Sequence, residues 1–325
     1  MSEAVLEPEL PICDAHHHLW LARGAAAPYT LDDLRGDTGS GHNVVRTVFV
    51  ECHSQYRTDG PEELRSVGEV EWVASVAEEA DRRGDGPPIA GIIGHADMTL
   101  GADVQPVIEA LDEAGRGRFR GVRHNTAWDA SPMGNNAPRP GLLSEHAFRA
   151  GVRTLGRAGF SFDAMGYHTQ LDEVAEMADA CPDVRIVANH LGIPLAGGPY
   201  KGRADEVRAE WQAGLTRLAA CDNVALKVGA LIRPLSGDKW DRRGVPATSD
   251  EIVAAWRDDV RFAIETFGPA RCLLESNFPV DKACYGYVEV WNAFKLMTSD
   301  LGADERRDLF HDTAARAYLL PTLAL

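Results

Sequence analysis

"RTVFVECHSQYRTDGPEELRSVGEVEWVASVAEEADRRG", residues 46–84, reads as one strand followed by one helix. "RTVFVEC" is short, apolar and β-branched, as a buried strand should be. In "PEELRSVGEVEWVASVAEEADRRG" the apolar positions recur at helical spacing. Pro61 is placed to open that helix and Gly84 to stop it. Two polar residues, Glu51 and His53, stand at the end of the strand or just past it.

The same unit recurs outward in both directions. Eight strand-like runs can be read: "PICDAHH", "RTVFVEC", "IAGIIGH", "FRGVRH", "FSFDAM", "VRIVANH", "VALKVG" and "RCLLES". Amphipathic stretches such as "DEVRAEWQAGLTRLAAC" separate most of them. The first unit is the weakest, with a short helical stretch near "YTLDDL". The last strand is followed by "VEVWNAFKLM" and a final helix "DERRDLFHDTAARAYLL". Alternating strand and helix implies parallel strands with right-handed crossovers. Eight such units predict a single (β/α)8 TIM barrel with a C-terminal helix. Barrels of this length are often one unit, so one domain over residues 1–325 is expected.

Composition narrows the partners. A formal charge of −16 argues against nucleic acid and against anionic membrane surfaces. It leaves a small-molecule substrate, an anionic one included, because a local basic pocket can override the net field. No apolar run approaches the length of a membrane span. "MSEAVLEPELP" has no positive region followed by an apolar core, so no signal peptide is expected. The six cysteines show no C-x-x-C, and Cys13, Cys52 and Cys272 lie in apolar runs. A reducing cytoplasm is the expected setting. A homo-oligomer remains open.

Polar residues gather at the C-terminal ends of the strands. They are His16 and His18, Glu51 and His53, His95 and Asp97, Arg123 and His124, His168, His190, Lys227 and Asn277. In a parallel barrel these ends meet at one rim. A lone histidine at a strand end is ordinarily structural; packing alone does not explain so many at successive ends. In "ICDAHHHLW", period two puts Asp14, His16 and His18 on one face and His17 on the other. Two long Gly/Pro-rich loops, after strands four and seven, would overhang the same rim.

"DAHHHLW", "NHLGIP", "LKVGAL" and "ESNFPVD" together resemble the amidohydrolase superfamily. Within it they look like the lactonase-related branch that includes the pyrone-dicarboxylate and sugar lactonases. The resemblance implies a hydrolase of a small cyclic ester, with water attacking a carbonyl polarised by barrel-mouth histidines. Its His-x-His matches His16 and His18, its strand-six histidine matches His190, and its strand-eight position matches Asn277. The superfamily generally has an aspartate at that last position. An amide is neither a base near neutral pH nor a good metal anchor. Glu51 is therefore expected to take over proton transfer, with Asn277 donating from its amide, and Asp97 or Asp281 next in line as base.

The resemblance also implies a divalent metal, zinc by ligand type, held by His16 and His18 with His190 or Glu51. Some members of the branch are thought to work without one, so the cofactor stays open. Asp14 could orient a ligand. Arg123, with Lys227 or Arg57, is expected to hold a carboxylate or the oxyanion. His53, His124 and His168 complete the expected substrate-binding set. Two other readings stand beside the hydrolase: a decarboxylase or lyase of the same superfamily, and a ligand-binding barrel without catalysis.

Overall fold

The structure, a computed structural model, describes residues 3–322 apart from 25, 132–133, 236–239 and 241–242. Part of the long segment after the seventh strand therefore lies outside the described residues. The strands are β1 Ile12–His17, β2 Val44–Val50, β3 Ile89–Gly94, β4 Phe119–Asn125, β5 Ser161–Met165, β6 Ile186–Ala188, β7 Val224–Val228 and β8 Cys272–Leu274. They pair in chain order, and every ladder is parallel. The ring closes through a parallel bridge between His17 and Phe278. There, His18 N–H donates to Phe278 O at 2.8 Å and Asn277 N–H to His16 O at 3.0 Å. The fold is the expected TIM barrel.

The outer helices are α1 Leu31–Thr38, α2 Val67–Arg83, α3 Gln105–Gly115, α4 His146–Arg157, α5 Leu171–Ala180, α6 Ala204–Ala219, α7 Ser249–Phe267 and α8 Tyr287–Met297. Local chemistry sets their ends. Thr248 and Glu251 bond each other's backbone N–H at the start of α7, which satisfies donors that the first turn leaves free. Pro61 opens only a 3-10 turn, Glu62–Leu64, and α2 begins later, at Val67. Arg65 N–H closes that turn on Glu62 O at 3.2 Å, and Arg65 O accepts from both Arg57 N–H at 2.8 Å and Gly68 N–H at 3.2 Å. Gly84 ends α2 as expected, with φ 62°.

The C-terminal helix is broken in the middle. α9 Ala303–Arg307 passes through a π-turn, Asp308–Asp312, into α10 Thr313–Ala317. Beyond it, Tyr318 and Leu320 plug the barrel. They pack with the inward side chains Cys13, Ala15, Val48, Val50, Ile93, Val187 and Leu273. A larger apolar layer fills the space between strands and helices. All six cysteines are buried. Among the described residues no helix is long and apolar enough to cross a membrane.

One expectation about β1 fails. Its register with β2 shifts between Asp14 and His17. Such an irregularity resets strict alternation. Cys13 and Ala15 point into the barrel, whereas Asp14 accepts from Tyr287 OH of α8 at 2.9 Å and from Ser276 Oγ at 2.6 Å. Asp14 therefore does not share a face with His16, which turns inward to Lys227.

Candidate active site

The centre of the mouth is a buried layer of charges and imidazoles. Glu275 follows β8 and is fully buried. Its Oε1 accepts from His190 Nδ1 at 2.7 Å. A donor at Nδ1 makes Nε2 the lone-pair nitrogen of that ring. His190 Nε2 has no hydrogen-bond partner among the described residues and is not sealed from the mouth. Glu275 Oε2 lies 2.7 Å from His16 Nδ1, but off the line of a ring N–H, and accepts no hydrogen bond from a described residue. Gly229, just after β7, makes the space: a Cβ there would overlap the Glu275 side chain and come within 2.6 Å of its carbonyl oxygen.

Lys227 is paired beneath His16. Its Nζ lies 2.7 Å from Asp163 Oδ2 and 3.3 Å from His16 Nδ1, and both charged side chains are fully buried. Tyr318 OH and Asn189 Nδ2 also donate to Asp163, at 2.9 and 3.0 Å. His18 donates from Nδ1 to Val50 O at 2.8 Å, and its Nε2 faces His16 Nε2 at 3.2 Å. Burial first, then Lys227, His190, His18 and Arg123, hold His16 well below its ordinary value. Burial, then Arg123, does the same for His18. Both rings are neutral near pH 7.

Arg123 belongs to Glu51. Its Nε donates to Glu51 Oε1 at 2.7 Å and its Nη2 to Glu51 O at 2.5 Å, while Nη1 lies 3.4 Å from His16 Nε2. Burial pushes the Glu51 carboxyl up; Arg123, His95 and His53 outweigh that and hold it below the ordinary range. A carboxylate held this way is a weak base. The other expected residues divide. His53 lies 3.5 Å from Glu51 Oε2 and is mostly exposed. His95 donates to Arg123 O at 3.1 Å, and His124 accepts from Met98 N–H at 3.1 Å. Burial, then His95, pushes His124 down to about 4. Next to them, over the ends of β2 to β4, lies a cavity of about 600 Å³ lined by Tyr56, Arg65, His95, Asp97, His124 and Arg139.

Arg57 and His168 are not brought to the centre. Arg57 pairs with Glu71 of α2. His168 accepts from Leu195 N–H at 3.4 Å and packs on Tyr200. Asn277 is present at the mouth, and one of the two N–H donors of its amide goes to Asp281 Oδ1 at 2.7 Å.

The donor set fits a divalent ion. His16, His190 and Glu275 offer ligand atoms within 4.8 Å of one another. The carboxylate oxygen without a hydrogen-bond donor and the neutral His16 ring are what a cation requires. His18 and Glu51, both expected among the ligands, are not in this group, and Glu275 stands in it instead. Glu275 and Asp163 were not singled out in the sequence. Each is a carboxylate in or ending an apolar strand run, where burial without a partner is costly. That signal was present in "RCLLES" and "FSFDAM".

A centre of this composition at the C-terminal rim of a TIM barrel defines a class of enzyme. The chain belongs to the amidohydrolase family, which matches residues 13–320. It is an enzyme of the amidohydrolase superfamily. The uncharacterized Sinorhizobium fredii protein y4mH is 29% identical, over 97% of this chain and 98% of its own. The L-fucono-1,5-lactonase of Burkholderia multivorans is 26% identical, over 95% and 96%. A solved amidohydrolase from Burkholderia multivorans with bound zinc is 25% identical, covers 95% of this chain and 99% of its own, and superposes with a TM-score of 0.73.

Proposed function

We propose that the enzyme hydrolyses a neutral, polyhydroxylated lactone, with His190 as general base. The observation that carries this is the Glu275–His190 pair: a buried carboxylate fixes Nδ1 and leaves Nε2 open to the mouth. Water bound at Nε2 gives up a proton as it attacks the lactone carbonyl, and Glu275 stabilises the imidazolium that forms. The ring oxygen then leaves with that proton from Nε2, giving the open hydroxy acid. An ion on His16, His190 and Glu275 would take the Nε2 lone pair of His190, which would then be a ligand and not the base, and the ion would itself supply the polarised carbonyl and the acidified water.

The preference for a neutral substrate follows from charge pairing. Arg123, Lys227 and Arg57 were the residues expected to hold an anion. Each already faces its own carboxylate: Glu51, Asp163 and Glu71 respectively. The nearby cavity offers neutral imidazole edges with both acidic and basic groups, which suits hydroxyls more than a dicarboxylate. The sugar-lactonase relative supports the same reading.

Lactone opening releases acid, so a pH-indicator assay over aldono-1,5-lactones tests the proposal directly. Turnover of at least one neutral lactone, faster than of a pyrone dicarboxylate, is expected. Carbon dioxide release from an aryl acid with no lactone turnover would turn the reading over to the lyase.

A further inference from the structure

Asn277 is held from three sides. Its φ is 55°, in the left-handed region. Its backbone N–H is bound to His16 O, and its amide nitrogen donates to Asp281 Oδ1 at 2.7 Å. Asp281 is fully buried, and its second oxygen accepts from Tyr285 OH. Tyr285 OH in turn accepts from Leu231 N–H at 3.0 Å, at the root of the segment after β7.

This chain of bonds has one direction. Leu231 N–H can only donate, so the phenol proton is free to go to Asp281 Oδ2. Oδ1 accepts from Asn277 Nδ2 at 2.7 Å, so the amide presents its NH2 group to it and not its C=O; this direction requires an ionised Asp281, whose carboxyl burial pushes up while the bonds from Tyr285 and Asn277 pull it down. The amide oxygen of Asn277 then points away from Asp281. It has no hydrogen-bond partner among the described residues and is not sealed.

We propose that Asp281, braced by Tyr285, is a positioning residue that turns the amide oxygen of Asn277 toward the mouth, where it accepts a proton of the attacking water. The idea rests on the hydrolytic reading above. A water has two protons: His190 Nε2 removes one and Asn277 Oδ1 holds the other, which fixes the lone pair that attacks the carbonyl. The same geometry explains the amide at 277. A carboxylate there would stand at hydrogen-bond distance from buried Asp281, and two like charges so placed cannot both ionise. The acid is kept at 281, and 277 serves as a fixed acceptor.

The test combines an exchange measurement with a double-mutant cycle on the full chain. With 15N-asparagine labelling, the side-chain NH2 signal missing from N277A identifies Asn277. It should exchange slowly with solvent in the parent enzyme and rapidly in D281N. On an aldono-1,5-lactone, D281N should lower kcat about tenfold with little change in KM, the scale of one hydrogen bond. N277A should lose as much, and D281N/N277A no more than N277A alone. Y285F, which removes one oxygen, should give the same pattern more weakly and stands in if D281N does not fold. Unchanged amide protection in D281N, or losses that multiply in the double variant, overturns the proposal. If no lactone is turned over, the hydrolytic reading fails, and the exchange data still decide the orientation of Asn277.

Discussion

Glu275 Oε1 lies 2.7 Å from His190 Nδ1, and the opposite ring nitrogen of His190 has no protein partner among the described residues. That is the arrangement of a carboxylate-backed base. Glu275→Gln keeps the shape and replaces the anion by an amide. It should cut kcat by about 10²- to 10⁴-fold while KM changes little, the range of general-base losses. Retention of most turnover by E275Q with an accepted lactone would show that His190 needs no buried anion.

Gly229 gives an independent handle on the same carboxylate. A methyl group there overlaps Glu275 Cγ. Gly229→Ala should therefore displace Glu275 and mimic E275Q in kcat, although it alters no charge. A G229A enzyme with parental kcat would mean that β7 and β8 separate without moving the carboxylate.

Glu51 and Arg123 should behave as a structural pair. Removing one member leaves the other charge buried and alone, which costs about 3–5 kcal/mol. Glu51→Gln is expected to lower Tm sharply. The double variant E51Q/R123M should recover much of the loss, because neither charge remains. Thermal unfolding of the three variants checks this. If E51Q keeps the parental Tm and loses only turnover, Glu51 is the base after all.

Zinc should bind once per chain, at His16, His190 and Glu275. Elemental analysis after loading and desalting should find about one ion, and H16A/H190A should find none. Equal zinc in the double variant places the metal elsewhere. E51Q should keep its ion, since Glu51 lies outside the ligand group.

The barrel could be read from the sequence because strand and helix periods alternate without interruption and apolar strands need cover on both faces. The rim histidines followed from it. The roles of the charges did not, because partners meet only in the closed ring. Arg123 on β4 finds Glu51 after β2, and Lys227 on β7 finds Asp163 on β5. Read singly, each cation looked available for substrate. A buried charge needs a partner, and the carboxylates that end or lie within apolar strand runs, Glu275 and Asp163 as much as Glu51, all carry that mark in the sequence. The phase of Asp14 was beyond reach, since a register shift inside "CDAHH" leaves no mark in residue type.

His42 should make the fold acid-sensitive far from the mouth. Buried Lys295 donates to His42 Nδ1 at 2.8 Å, to Leu6 O at 2.7 Å and to Glu7 O at 2.9 Å, so it ties the N-terminal segment to α8. His42 Nε2 lies 3.2 Å from Val288 O. With Nδ1 accepting and Nε2 donating, the ring must be neutral. Burial, then Lys295, pushes its pKa down from 6.5 to about 4. The unfolded chain takes up this proton below about pH 6.5, and the folded chain resists it until about 4. The stability linked to His42 is therefore complete above pH 6.5 and falls away between 6.5 and 4, by about 2–3 kcal/mol at the lower end. His42→Gln can keep both bonds, accepting from Lys295 through its oxygen and donating to Val288 through its nitrogen, without titrating. Its Tm at pH 7.5 should stay close to the parent's, and its fall between pH 7.5 and 5 should be smaller. If parent and H42Q lose the same Tm over that interval, His42 takes up its proton without disturbing the Lys295 tie, and the acid sensitivity lies with the other buried rings.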